Sequence, residues 1–446
     1  MSRRPALRLA LLLAFGLASP ALPQDEPRVE ECLDVAPVWS GHPVGFHLLT
    51  RGGRQFAAFY DAERHLTVAS RDLGSPQWTL TRLPRRTGWD SHNYVTLAAD
   101  DDGFLHLSGD MHCVPLVYFR SVKPLDAAAF EALHRMTGER EKKVTYPAFL
   151  RGAKDELIFT YRDGSSSAGD QIYNVYDHAA KSWRRLMDQP LTAGIGRDSV
   201  NAYFHGPVRG PDGYFHLCWV WRDHGGCESN HDLSYARSAD LVRWERSDGR
   251  PLALPITLRS AEIVDPVPPR GGIINGNTKI GFDALGRVVV GYHKYDAKGN
   301  TQIYNARREE GGWKICQTSD WDHRWDFSGG GSIPFEVGLG PVRVEADGSL
   351  SQDYSHRKLG GGTWRLDGAT LKASGSFRRA PPYPAALAKA GSTFPGMLVR
   401  WCGDSGGAGQ GVRYVLRWET LGPNRDRPRE GPLPEPSMLR LYRLRM

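Results

Sequence analysis

Four segments of this chain fold polar residues onto one another. His92 and His112 stand equally far from the turn Asp102-Gly103. Tyr146 and Arg162 flank Lys154-Asp155 in the same way, Asn201 and Arg222 flank Pro211-Asp212-Gly213, and Asn275 and Lys294 flank Ala284-Leu285-Gly286. Residues equidistant from a tight turn are cross-strand neighbours in an antiparallel hairpin. Imidazole, phenol, guanidinium, amide and ammonium groups are therefore expected together at the open ends of successive hairpins. Such a set suits proton transfer beside an anionic substrate.

The elements that must position them are strands. The chain has 50 glycines, 30 prolines and 13 tryptophans, and little apolar periodicity of the helical kind. Leu125 to Arg135 is the main helical candidate. Tryptophans recur in short contexts at Trp78, Trp183, Trp244, Trp313 and Trp364 and are expected to announce a fourth strand. Third-strand phrases precede several of them, at His65–Ser70, Ile172–Tyr176, Leu233–Ser238 and Gln302–Arg307. Self-similarity at a period of roughly 45–50 residues marks a propeller. The units fall near 45–85, 91–140, 144–190, 200–255, 273–325, 335–380 and 396–444. The expected fold is all-β, a single seven-bladed β-propeller with the tryptophans packed between blades. The first strand of each blade would be innermost, so the four polar pairs would ring the mouth of the central channel. A pair of β-sandwiches is the alternative fold.

Residues 1–23 read as a secretory leader, and 24–446 as the mature domain. Arg3, Arg4 and Arg8 precede the apolar run Leu9–Leu17, followed by small residues at Ala18, Ser19 and Ala21. No later apolar stretch is long enough to span a bilayer. The protein is expected to be secreted or periplasmic and monomeric. Removing the three leader arginines takes the formal charge from +7 to about +4. That excess permits an acidic substrate without demanding one. The basic residues are dispersed, which argues against nucleic acid.

His205 and Cys218 are also equidistant from the Pro211-Asp212 turn, and Cys227 and His231 follow in the next loop. Two thiolates and two imidazoles make a tetrahedral zinc set. A Cys218–Cys227 disulfide or free thiols are the alternatives. The zinc would pin the loop from Arg222 to Asn230.

Three stretches carry a family resemblance. They are Ser91-His92-Asn93-Tyr94-Val95 with His106–His112, Thr145-Tyr146-Pro147 with Tyr161-Arg162-Asp163-Gly164, and Trp221-Arg222-Asp223 with Glu228–Leu233. Together these resemble the bacterial-neuraminidase-repeat-containing family, whose pattern includes seven-bladed ulvan lyases that cleave an acidic algal polysaccharide. The likeness covers about residues 35 to 425. The sialidase turn Ser-x-Asp-x-Gly-x-Thr-Trp is not present in full. Nor is there a recognisable three-arginine clamp with a Tyr/Glu nucleophile pair. The resemblance implies β-elimination at a uronic acid, with His92, His112, Tyr146 and Arg162 as the catalytic set, and a structural metal such as the quartet would hold. Arg162 would neutralise the uronate carboxylate. Proton transfer would be divided among Tyr146, His92 and His112 in a way the sequence leaves open. Asn93, Asn201, Arg222, Asn275 and Lys294 are the candidate substrate contacts.

A glycoside hydrolase would need two carboxylates across the funnel, for which Asp110, Asp163, Asp223 and Asp296 are candidates. A non-catalytic glycan-binding propeller is the third possibility.

Overall fold

The computed structural model describes residues 26–196, 200–407 and 409–446. The leader read at 1–23 lies outside them. Among the described residues there is no α-helix, only strands and three short 3-10 turns. The strands form seven antiparallel sheets in chain order. The first is 47–51, 54–60, 65–72 and 79–86. The second is 96–99, 105–108, 118–121 and 130–133. The third is 144–151, 157–165, 168–177 and 182–185, with 112–114 also paired to 144–151. The fourth is 201–209, 215–222, 230–238 and 244–245, with 262–265 also paired to 230–238. The fifth is 279–282, 288–295, 301–309 and 312–317, and the sixth is 337–344, 350–356, 360–366 and 373–377. The seventh joins 397–403, 412–421 and 437–445 to the N-terminal strand Arg28–Val38, which pairs with the last strand from Arg28↔Arg445 to Val38↔Ser437. The two ends of the chain are thus held in one sheet, and no sequence unit had included Arg28–Val38. No helix among the described residues is long and apolar enough to cross a membrane.

Sequence and structure part at two elements. The helical candidate Leu125–Arg135 contains instead the strand Phe130–Leu133, an edge strand paired with Tyr118–Ser121. An edge position lets its outer residues stay wet, so a helix-like spacing of apolar residues is no obstacle. Trp183, Trp244 and Trp313 lie in fourth strands and Trp78 just precedes one, but Trp364 sits in the third strand of its sheet, stacked on Tyr354 at 3.9 Å. Trp183, Trp244 and Trp364 are buried, and Trp78 and Trp313 are partly buried against the core. Which strand supplies the tryptophan is not fixed.

Candidate functional site

The starts of the first strands of several sheets, and the ends of their second strands, meet around a cavity of about 280 Å³. His92, His112, Tyr146, Tyr203, Arg222 and Asn275 line it, and no carboxylate is among its described lining residues. A larger hollow of about 560 Å³ opens among the hairpin turns at the other ends of the first strands. Its glycine-rich lining includes His47, Arg51 and Arg151 but, among the described residues, no phenol and no second imidazole, so the smaller cavity is the chemical candidate.

His92 and His112 are brought together, but not by a hairpin ladder. That ladder stops at Thr96↔Ser108. His92 lies in the single turn Ser91–Asn93, capped by Asp90, whose side chain accepts from the His92 backbone N–H. His112 opens the short strand His112–Val114, which pairs with Val144–Thr145 of the third sheet. The two rings stack with centroids 4.0 Å apart. One carboxylate serves both: Asp90 Oδ1 is 2.6 Å from His92 Nδ1, and Oδ2 is 2.5 Å from His112 Nδ1. Burial works to raise the Asp90 pKa, but the hydrogen bonds from His112 and His92 outweigh it and hold the carboxyl well below its usual range.

A second carboxylate ties this turn down. Asp426 accepts from the Ser91 N–H and hydroxyl at 3.0 and 2.9 Å, from the Ser332 N–H at 2.8 Å, and faces His42 Nε2 at 3.3 Å. Burial again opposes ionisation, yet these donors hold the Asp426 carboxyl well below the carboxylate range. A depressed folded-state pKa gives stability that is present above the unfolded value, about 4, and is lost as pH falls below it. Asp426→Asn keeps a residue that tolerates the left-handed φ of 55°, but removes an acceptor from these donors. It should lose about 1–3 kcal/mol at neutral pH and show a shallower fall of thermal midpoint between pH 5 and pH 3, on the order of the unfolded carboxylate range. Parallel slopes for both proteins would contradict this role.

Tyr146 and Arg162 are neighbours by a different route from the one expected. Thr145, not Tyr146, pairs with Arg162, and the ladder slips between Thr145 and Ala148. Pro147 has no N–H for the ladder, which favours a bulge there. Tyr146 sits at φ 57° and turns its ring into the cavity. Arg162 lies behind it, only 2% exposed, with its guanidinium carbon 5.0 Å over the Tyr146 ring. It donates to Thr145 Oγ1 and Cys113 Sγ, while its Nε and Nη1 have no partner. Arg162 therefore does not line the cavity, and its charge acts through the phenol. Burial raises the Tyr146 pKa well above its usual range, Tyr203 adds to that, and Arg162 and Arg222 pull against it. Among the described residues the Tyr146 hydroxyl has no hydrogen-bond partner.

Asn201 and Arg222 pair in register as expected. Only Arg222 reaches the cavity, and Asn201 is buried beside Gly169. The Arg222 guanidinium packs 4.4 Å over Tyr203 and donates to Tyr203 Oη, Asn230 Oδ1 and Asn275 Oδ1 at 3.2, 3.2 and 2.5 Å. Asn275 lines the cavity with it. Lys294 does not: its ammonium pairs with Asp265 at 2.5 Å. Asn93 is turned inward, its side-chain amide donating to Thr87 Oγ1 at 3.1 Å while its backbone carbonyl accepts from the Tyr60 hydroxyl. Asp110, Asp163 and Asp223 are engaged by Arg85, Arg140 and His231, and Asp296 closes its own turn.

The quartet His205, Cys218, Cys227 and His231 is not gathered, and its residues do not fit a zinc ion. His205 does lie opposite Cys218, but Cys218 faces Tyr235 while His231 faces Trp221. Four residues along a strand is roughly 13 Å. Both ring nitrogens of His231 are at 3.0 Å from carboxylates, those of Asp223 and Asp232. Cys218 is buried with Tyr235 and Ile280, whereas Cys227 belongs to a separate cluster with Ile274 and Trp325. The Cys218–Cys227 disulfide is not formed either, and all six cysteines are free. Among the described residues, the ligand-type side chains that do converge are Asp90, His92 and His112, at hydrogen-bond separations.

Asp90, Asp426 and Tyr203 were missed as site residues. The run Asp90-Ser91-His92 carries a local cap pattern that marks Asp90. Nothing near Asp426 in sequence points to the site.

The BNR repeat-containing family matches residues 54–321, more than half of the chain. Ulvan Lyase-PL25 of Pseudoalteromonas sp. (strain PLSV) is 20% identical over 284 residues, covering 55% of this chain. The match spans only about half of that relative's length, 56%. Two solved structures share the fold. Polysaccharide lyase Uly1 has a TM-score of 0.60 at 15% identity, covering 94% of this chain and 99% of that one. A PL25 ulvan lyase bound to -[GlcA(1-4)Rha3S]- has a TM-score of 0.58 at 13% identity, covering 92% and 95%.

Proposed function

Because the chain belongs to the BNR repeat-containing family, we propose that it is a polysaccharide lyase that cleaves a uronate-containing, ulvan-like polysaccharide by β-elimination. In this reading the seven sheets are the blades of one propeller, and the monomer acts outside the cytoplasm after loss of the leader at 1–23. One observation carries the chemistry. Arg162 and Arg222 are 2% and 8% exposed, and among the described residues neither has a carboxylate partner. A buried guanidinium without a counter-charge costs several kcal/mol, on the order of what a bound anion would recover. The two cations flank Tyr146 and Tyr203, next to the imidazole pair.

Arg222 is placed to take the substrate carboxylate. Charge that builds on that group as the C5 proton leaves is then met by a preorganised cation. An imidazole Nε2 of the stacked pair takes the C5 proton. The C5–H electrons form the C4–C5 double bond, and the C4–O4 bond breaks. O4 leaves with its electron pair and takes the proton of the Tyr146 phenol, which its burial keeps protonated. The imidazolium then releases the C5 proton to solvent and solvent returns one to Tyr146, which resets both groups. The absence of carboxylates from the described cavity lining weighs against a two-carboxylate hydrolase.

A panel of acidic polysaccharides tests this reading. The expected product absorbs in the ultraviolet through a double bond conjugated to its carboxylate. New reducing ends without that absorbance would indicate hydrolysis, and binding without either product would indicate a glycan-binding propeller.

A further inference from the structure

We propose that Asp90 is a single positioning group for two imidazoles, holding His92 and His112 in the same tautomer so that both Nε2 atoms are presented to the cavity. Each Asp90 oxygen meets one Nδ1, at 2.6 and 2.5 Å. An ionised carboxylate only accepts hydrogen bonds. Both Nδ1 atoms must therefore carry their protons, and in the neutral rings Nε2 is left as the lone-pair nitrogen. Both histidines line the cavity and Asp90 does not, so the carboxylate holds them from behind.

The stack gives this arrangement a consequence for turnover. Ring centroids 4.0 Å apart leave little room for two positive rings, and one carboxylate compensates one of them. A proton taken from substrate by either Nε2 therefore lands next to a charge already in place. An orienting carboxylate behind a catalytic imidazole has the same two effects, fixing the tautomer and stabilising the imidazolium. Asp426 reinforces the geometry by fixing Ser91 on the same turn, with its own Oδ2 3.6 Å from His92 Nδ1.

The catalytic half of this inference rests on the lyase reading, whereas the tautomer half needs no substrate. The test is nitrogen NMR on protein labelled at histidine, with Asp90→Asn beside the wild type. Asn still caps the turn at His92, but its amide offers one acceptor and one donor. One ring must then show a bare Nδ1 and switch its proton to Nε2. In the wild type both rings are expected as Nδ1–H. Asp90→Asn should lower kcat on the order of 100-fold or more with KM little changed, because no group that touches substrate is lost. An Nε2–H tautomer on either ring of the wild type overturns the proposal, and does so even if the variant fails to fold. Unchanged tautomers or unchanged kcat in a folded Asp90→Asn protein overturn it as well. A chain with no lyase activity but paired Nδ1–H signals supports the positioning role and sinks the reaction instead.

Discussion

Tyr146→Phe is expected to abolish most formation of unsaturated product, lowering turnover on the order of 100- to 10,000-fold, the usual worth of a positioned general acid. The substitution deletes one oxygen and little else. The Arg162 guanidinium stays over the ring at 5.0 Å, and the contacts with the His92 and Tyr203 rings, at centroid distances of 5.3 and 6.0 Å, are ring contacts that Phe retains. The φ of 57° is a cost that Tyr and Phe share. Among the described residues the hydroxyl has no partner, so its removal strands no buried donor or acceptor. Stability should change by less than about 1 kcal/mol. Initial rates of ultraviolet-absorbing product, with thermal midpoints measured alongside, separate a lost proton donor from a damaged fold. A near-wild-type rate would mean that the leaving oxygen takes its proton from another group.

Legibility from sequence followed locality. The tight turn Pro211-Asp212-Gly213 set a register that places Asn201 opposite Arg222 and His205 opposite Cys218. Symmetry about Lys154-Asp155 brought Tyr146 near Arg162 but not into register, because the ladder slips at the bulge beside Pro147. Symmetry about Asp102-Gly103 succeeded for a reason it did not contain. His112 leaves its own hairpin and joins the next sheet, which still delivers it to His92. The ends of hairpins, where ladders stop, are where equal spacing loses force. Asn275 and Lys294 diverge there, since Asp265 holds the ammonium. The zinc quartet failed because compactness in sequence says nothing about which face of a strand, or which apolar cluster, each side chain enters. Asp426 lies 335 residues from its partner Ser91, a contact created only when the far end of the chain returns to the site.

Arg222→Ala carries the second large effect, a loss in kcat/KM on the order of 100- to 1,000-fold, as for removal of one preorganised charge stabiliser. The guanidinium is held by Tyr203, Asn230 and Asn275 through neutral acceptors. Its charge is thus fixed in direction but not cancelled, the state in which it is most useful to an incoming carboxylate. Arg222→Lys keeps the charge and loses the planar fork, so it should fall between Ala and wild type. Folding should suffer little in Arg222→Ala. Tyr203 Oη and Asn230 Oδ1 each lose a donor, at about 1–3 kcal/mol for a buried unsatisfied group, while Asn275 Oδ1 keeps one from Asn230 Nδ2 at 3.3 Å, and an uncompensated buried cation disappears at the same time. Arg162→Ala makes the informative contrast. Arg162 is shut behind Tyr146 and reaches the reaction only through the phenol, so kcat should fall while KM stays near its wild-type value. Arg222→Ala should weaken substrate binding and turnover together. Measured kcat and KM for both variants on one cleaved polysaccharide decide which arginine meets the substrate. If Arg162→Ala raises KM and Arg222→Ala does not, the carboxylate sits on the other side of Tyr146, and the cavity must open in the complex to admit it.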